Sequence, residues 1–196
     1  MTARLERVNL LLLVLLISIV VGLWVVPVFR QGLLSEIASG FLFAAFMQPL
    51  YELLHQAMHG MFHRNKRVND AVGTAIAAFL PSSFSLIQMV HVGHHVSNRS
   101  SRERIEYYAD GASAWRQSVF YYAILLGLNW LGFVLQNIVF MLLPARTTKA
   151  HGIDRNFGAT LPQLSIKKLA GIRLEFFCVL ALHIALLTLT PVTLRQ

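Results

Sequence analysis

The sequence predicts an all-α integral membrane protein, with about four membrane-embedded helical segments plus interfacial helices that carry a histidine cluster on the cytoplasmic face. Three observations lead there. The chain is 56% hydrophobic and only 13% charged, with a mean hydropathy of +0.58, far more apolar than an ordinary soluble domain. Its apolar residues fall into runs that match the hydrocarbon core of a bilayer. Six of its eight histidines lie in one polar stretch between His55 and Arg116. The formal net charge of +8 comes from basic residues between apolar runs, where anionic lipid headgroups account for them. No groove-reading motif accompanies that charge, so nucleic acid is not an expected partner. The single cysteine, Cys178, sits in an apolar run and excludes an internal disulfide or a multi-cysteine metal site.

Leu10 to Val28 is an uninterrupted apolar stretch behind Arg4 and Arg7, with no small-x-small cleavage pattern at its end. It reads as a retained transmembrane helix. A short link at Phe29-Arg30-Gln31-Gly32 leads to a second span, Leu33 to Leu54, which carries Glu36, Gln48 and Glu52. So short a link makes the two a helical hairpin. With Arg4 and Arg7 inside, the hairpin returns the chain to the cytoplasmic side just before His55.

Residues 71–90 are apolar, but Gly73 and the Pro81-Ser82-Ser83 break favour an interfacial or partly inserted helix pair over a clean span. The run from Val119 to Leu143 is long enough to cross, and Leu174 to Leu189 forms a shorter span before Pro191. A basic loop with Arg146, Lys149, Arg155, Lys167 and Lys168 joins them. Counting spans places this loop outside, whereas its charges place it inside. A re-entrant bend near Gly127, Asn129 and Gly132 would reconcile the two, and both topologies stay open. No repeat divides the chain, so residues 1–196 read as one membrane domain.

Within "HQAMHGMFH" (55–63), His55, His59 and His63 are four residues apart. On a helix such residues project from one face, a turn apart, so His55 and His59 can approach one metal ion and His63 extends the row. In "HVGHH" (91–95), His91 shares a face with His94 and with His95, while those two neighbours point about 100° apart. One helix can therefore serve two metal ions. A lone histidine at such a place would be an interfacial polar residue; five in two spaced groups point to a nitrogen-rich transition-metal site. A zincin helix would need a glutamate after its first histidine, and Gln56 stands there. A bis-histidine haem would need one ligand from each of two helices near mid-membrane, and these clusters lie at span ends.

"HQAMHG", then "RNKRVND", then "HVGHH" about thirty residues on resemble the membrane fatty acid desaturase family, with its histidine boxes H-x(3,4)-H and H-x-x-H-H on the cytoplasmic face. The resemblance covers roughly residues 33 to 143. It implies a multi-pass membrane oxidoreductase of lipid metabolism. A non-haem di-iron centre would activate O2 and introduce a double bond into a lipid acyl chain, with electrons from a donor such as ferredoxin or cytochrome b5. Its implied iron ligands are His55 and His59 of the first box and His91, His94 and His95 of the second.

The chain departs from that pattern at three places. Gln56 replaces the acid that many members have after the first histidine, and His63 stands where such sequences usually have another residue. The family's last H-x-x-H-H box is absent from these 196 residues, since His151 stands alone and His183 lies in an apolar run, where it reads as a packed polar residue. The resemblance is thus to a desaturase domain incomplete at its C-terminal end, expected to be inactive in isolation. A carotenoid ketolase or hydroxylase of the same histidine-box type, or a non-catalytic membrane protein, are the alternatives. Among smaller features, Asn69-Asp70 reads as a cap for a helix beginning at 71. "NRSSRERIEYY" (98–108) reads as a headgroup-facing segment, and its Asn98-Arg99-Ser100 glycosylation pattern would be idle in the cytoplasm.

Overall fold

The computed structural model describes residues 2–29, 32–97, 111–124, 128–142 and 166–189. All regular structure among them is helical: α1 (Ala3–Phe29), α2 (Leu33–Met58), α3 (Lys66–Ala77), α4 (Phe84–Ser97), α5 (Ala114–Ala123), α6 (Asn129–Leu142) and α7 (Ile166–Leu189). Among the described residues, three stretches are long and apolar enough to cross a membrane, Ala3–Val25, Leu33–Met58 and Lys167–Leu186, at 23, 26 and 20 residues. At 1.5 Å of rise per residue, the shortest spans about 30 Å, the thickness of a hydrocarbon core. The expected fourth span, 119–143, is described as α5 and α6, each too short to cross alone, with Gly127 outside the described residues. The chain divides into two compact units, Met1–Ala77 with Leu180–Gln196, and Ala78–Val179.

In the first unit α1 packs on α2, and α2 on α3. Leu13, Leu16 and Val20 of α1 are buried, as are Leu50, Leu53, Leu54 and Ala57 of α2. These follow the i, i+3, i+4, i+7 spacing of one helix face. The outward residues are as apolar as the inward ones: Leu34 is 81% and Phe41 75% exposed, a surface suited to lipid rather than water. The rings of Trp24 and Phe43 stack at 6.0 Å, and His183 of α7 meets Trp24 edge-on at 6.3 Å. His183 is therefore packed against an aromatic ring, as expected. Pro49 lies inside α2, where its missing N–H removes one rung of the helix ladder.

In the second unit Leu86 and Met89 of α4, Phe140 of α6, and Leu169 and Ile172 of α7 form one buried cluster. A polar knot sits beside it. Ser83 caps α4, its Oγ accepting from Leu86 N at 3.2 Å. Glu175 of α7 accepts from Ser85 N at 2.9 Å, from Ser85 Oγ at 2.6 Å and from Ser83 Oγ at 3.1 Å. A carboxylate at a helix N-terminus is favoured by the helix dipole. Asn137 of α6 is fully buried; it accepts from Ser83 N at 3.2 Å and donates to Ser82 Oγ and Phe133 O, both at 2.7 Å. Arg173 donates to Phe140 O at 2.9 Å, satisfying a carbonyl in the last turn of α6.

Two sequence expectations are corrected here. Lys167 and Lys168 belong to the first turn of α7, not to a loop. The helix after the first box begins at Lys66, because Asn65 Oδ1 accepts from Arg67 N at 2.9 Å and caps it there. Asn69 lies inside that helix, and Asp70 pairs with Lys66. The 71–90 region is indeed a helix pair, α3 and α4, broken at Pro81-Ser82-Ser83. Residues 98–108, His151 and the loop residues Arg146, Lys149 and Arg155 lie outside the described residues.

Candidate metal centre

Each histidine box is presented by the C-terminal end of a helix. His55 is in the last turn of α2 and His59 is its C-cap; His94 and His95 are in the last turn of α4. The unpaired carbonyls of a helix C-terminus carry partial negative charge, so a cation is favoured at either end.

The ring centroids of His55 and His59 are 4.8 Å apart in an edge-on arrangement. Those of His91 and His95 are 4.6 Å apart, also edge-on, with the two Nε2 atoms 3.0 Å from each other. Among the described residues, these pairs place ring nitrogens to hold a metal ion, at most 4.8 Å apart within a pair. Two nitrogens bound at right angles to one metal, each at about 2.1 Å, are about 3.0 Å apart. The His91–His95 pair already has that bite. Two imidazole lone pairs at this separation repel unless a proton or a metal lies between them. His94 is 6.4 Å from His91 and 5.5 Å from His95, centroid to centroid. The i, i+4 choice thus pairs His91 with His95, while His94 faces elsewhere on the helix end.

His63 does not extend the first row. Gly60, at φ +69°, ends α2, with Met61 N donating to Gln56 O at 2.8 Å and Gly60 N to Ala57 O at 3.0 Å. This paired closure needs a left-handed residue, which glycine supplies without strain. Beyond it the chain has left the helix, and His63 Nδ1 accepts from Asn65 N at 2.9 Å.

The turn behind the first box is held by buried polar side chains. Asn69 takes Phe62 N on its Oδ1 at 3.2 Å and donates to Ala57 O at 2.8 Å. Asn9 of α1 donates to Gln56 Oε1 at 3.2 Å and Phe62 O at 3.1 Å. Glu6 accepts from Arg64 N at 3.0 Å and pairs with its Nε at 3.3 Å. The sequence reading missed Glu6, Asn9, Asn137 and Glu175. The signal available was that each is a polar residue in or beside an apolar run, the type most in need of a partner inside a membrane protein.

The ligand type fits iron: imidazoles without thiolates suit a transition metal of borderline character. No curated protein and no solved structure matches the chain. The family model for fatty acid desaturase matches residues 33–194. That stretch contains both histidine pairs and extends past the 33–143 region that carried the resemblance. The chain belongs to the fatty acid desaturase family.

Proposed function

We propose that this chain is a lipid-modifying oxidase of the desaturase type, in which His55 and His59 together with His91, His94 and His95 hold two irons. The observation that carries this is the 3.0 Å Nε2 separation of His91 and His95, a chelating bite in a chain of that family. When bound, the irons supply activation of O2 and removal of two hydrogens from an unactivated acyl chain. Reduction of O2 to two waters takes four electrons; two come from the C–H bonds, and two from a ferredoxin- or cytochrome b5-like donor.

The chain's own part is to position the metal ligands. The helix ends fix the imidazoles, and the dipoles of α2 and α4 favour the bound charge. The apolar spans anchor the protein in the bilayer, where its substrate resides. In this reading the protein is multi-pass and both boxes face the cytoplasm, where the donor is found.

The test is product analysis. The chain is expressed with a donor in a host lacking its own desaturase, both as it stands and followed after Pro191 by the last hairpin and third box of a family member. Mass spectrometry of the host's lipids should reveal new double bonds that disappear with His91→Ala/His95→Ala. Hydroxylated or keto products without new double bonds would refute acyl desaturation.

A further inference from the structure

The family match begins at residue 33, so α1, which ends at Phe29, lies wholly before it. Yet the head of α1 is bonded to both sides of the turn that closes the first histidine box. Glu6 and Asn9 are one helical turn apart on one face and are only 4% and 3% exposed. Asn9 spends both of its N–H donors here: one on Gln56, between the two histidines of the box, and one on Phe62, just beyond Gly60. Glu6 holds the next stretch through the backbone N–H and the guanidinium of Arg64.

Gln56 follows His55 directly and precedes His59 by three residues. On a helix its side chain leaves about 100° from that of His55 and about 60° from that of His59. Holding the Gln56 amide therefore sets the rotation of the last turn of α2, and with it the direction of both imidazoles. Holding Phe62 O sets where the chain leaves that turn. The role is the one an outer carboxylate plays in other metal sites, orienting ligands without touching the metal; here a neutral amide pair does it, with one partner from α1.

We propose that Asn9 and Gln56 are positioning residues for the His55–His59 ligand pair, and that α1 thereby sets the metal affinity of the first box, with Glu6 supporting the same turn. This rests on the reading that His55 and His59 bind metal.

The experiment is a Co(II) titration of the purified full chain in detergent, followed by its visible absorption, with thermal melting measured alongside. His55→Ala/His59→Ala tests the underlying reading. If that variant binds Co(II) as the parent does, the ligand assignment itself fails. If it loses affinity, the positioning role is read from Asn9→Leu, Gln56→Leu and the double variant. Each single change should weaken Co(II) binding by about 10-fold or more and shift the absorption band. The double variant should be no weaker than the worse single one, because one bond is lost in all three.

Asn9→Ser, which keeps a donor but shortens its reach, serves if Asn9→Leu does not fold, and should show the same loss. Parental Co(II) affinity and spectrum in folded Asn9 and Gln56 variants, whatever their melting temperature, would overturn the proposal. So would strictly multiplicative losses in the double variant.

Discussion

His91→Ala/His95→Ala will purify with most of its iron missing, and iron added back will not be retained. The pair's two Nε2 atoms sit at the separation that one metal imposes on neighbouring ligands, and methyl groups offer no donor in their place. Because neither side chain belongs to the buried Leu86, Met89, Phe140, Leu169 and Ile172 cluster, the fold should survive. Iron per chain by elemental analysis, with helical content by circular dichroism, checks both parts. Full iron retention in a folded variant would remove this pair from the centre.

Asn137→Leu is expected to cost about 2–4 kcal/mol of stability. The change leaves Ser83 N without its acceptor and Ser82 Oγ without its donor, both in fully buried residues, and each orphaned group costs about 1–3 kcal/mol. Glu175→Leu should be comparably damaging, since it strips three hydrogen bonds from Ser83 and Ser85 at the start of α4. Glu175→Gln should be milder, because an amide oxygen still accepts. Denaturant unfolding in detergent, compared at matched lipid content, provides the ranking; equal stability of Asn137→Leu and the parent would mean that the knot contributes nothing net.

What was legible in the sequence is what depends on local spacing. The i, i+4 steps from His55 to His59 and from His91 to His95 are properties of one helix, so the pairs could be read before any fold was known. The long apolar runs were equally plain, since α1, α2 and α7 are apolar on almost every face. Boundaries were less so. Asn69 reads as a cap because Asn and Asp favour that place, yet Asn65, four residues earlier, does the capping. Asn69 was free to join the box turn instead. His63 had the right spacing but lies past Gly60, whose left-handed backbone ends the helix.

The polar knots could not be read at all from local pattern. Glu6 meets Arg64, and Ser85 meets Glu175, 58 and 90 residues apart. Such partners are chosen by packing, so the sequence shows only that an acid stands in or near an apolar run and must be satisfied somewhere. The Pro81-Ser82-Ser83 break was visible as an interruption, but its role as the cap of the helix that presents the second box emerged only with Glu175 and Asn137 in place.

X-ray absorption at the iron edge of the loaded full chain tests the central claim, that the box histidines hold iron, most directly. The account predicts a nitrogen-rich first shell near 2.1 Å, roughly the usual metal–imidazole distance, with the outer-shell scattering of imidazole rings and its loss when His55, His59, His91 and His95 are replaced together. An oxygen-only shell, or a spectrum unchanged by removing those four side chains, would contradict it.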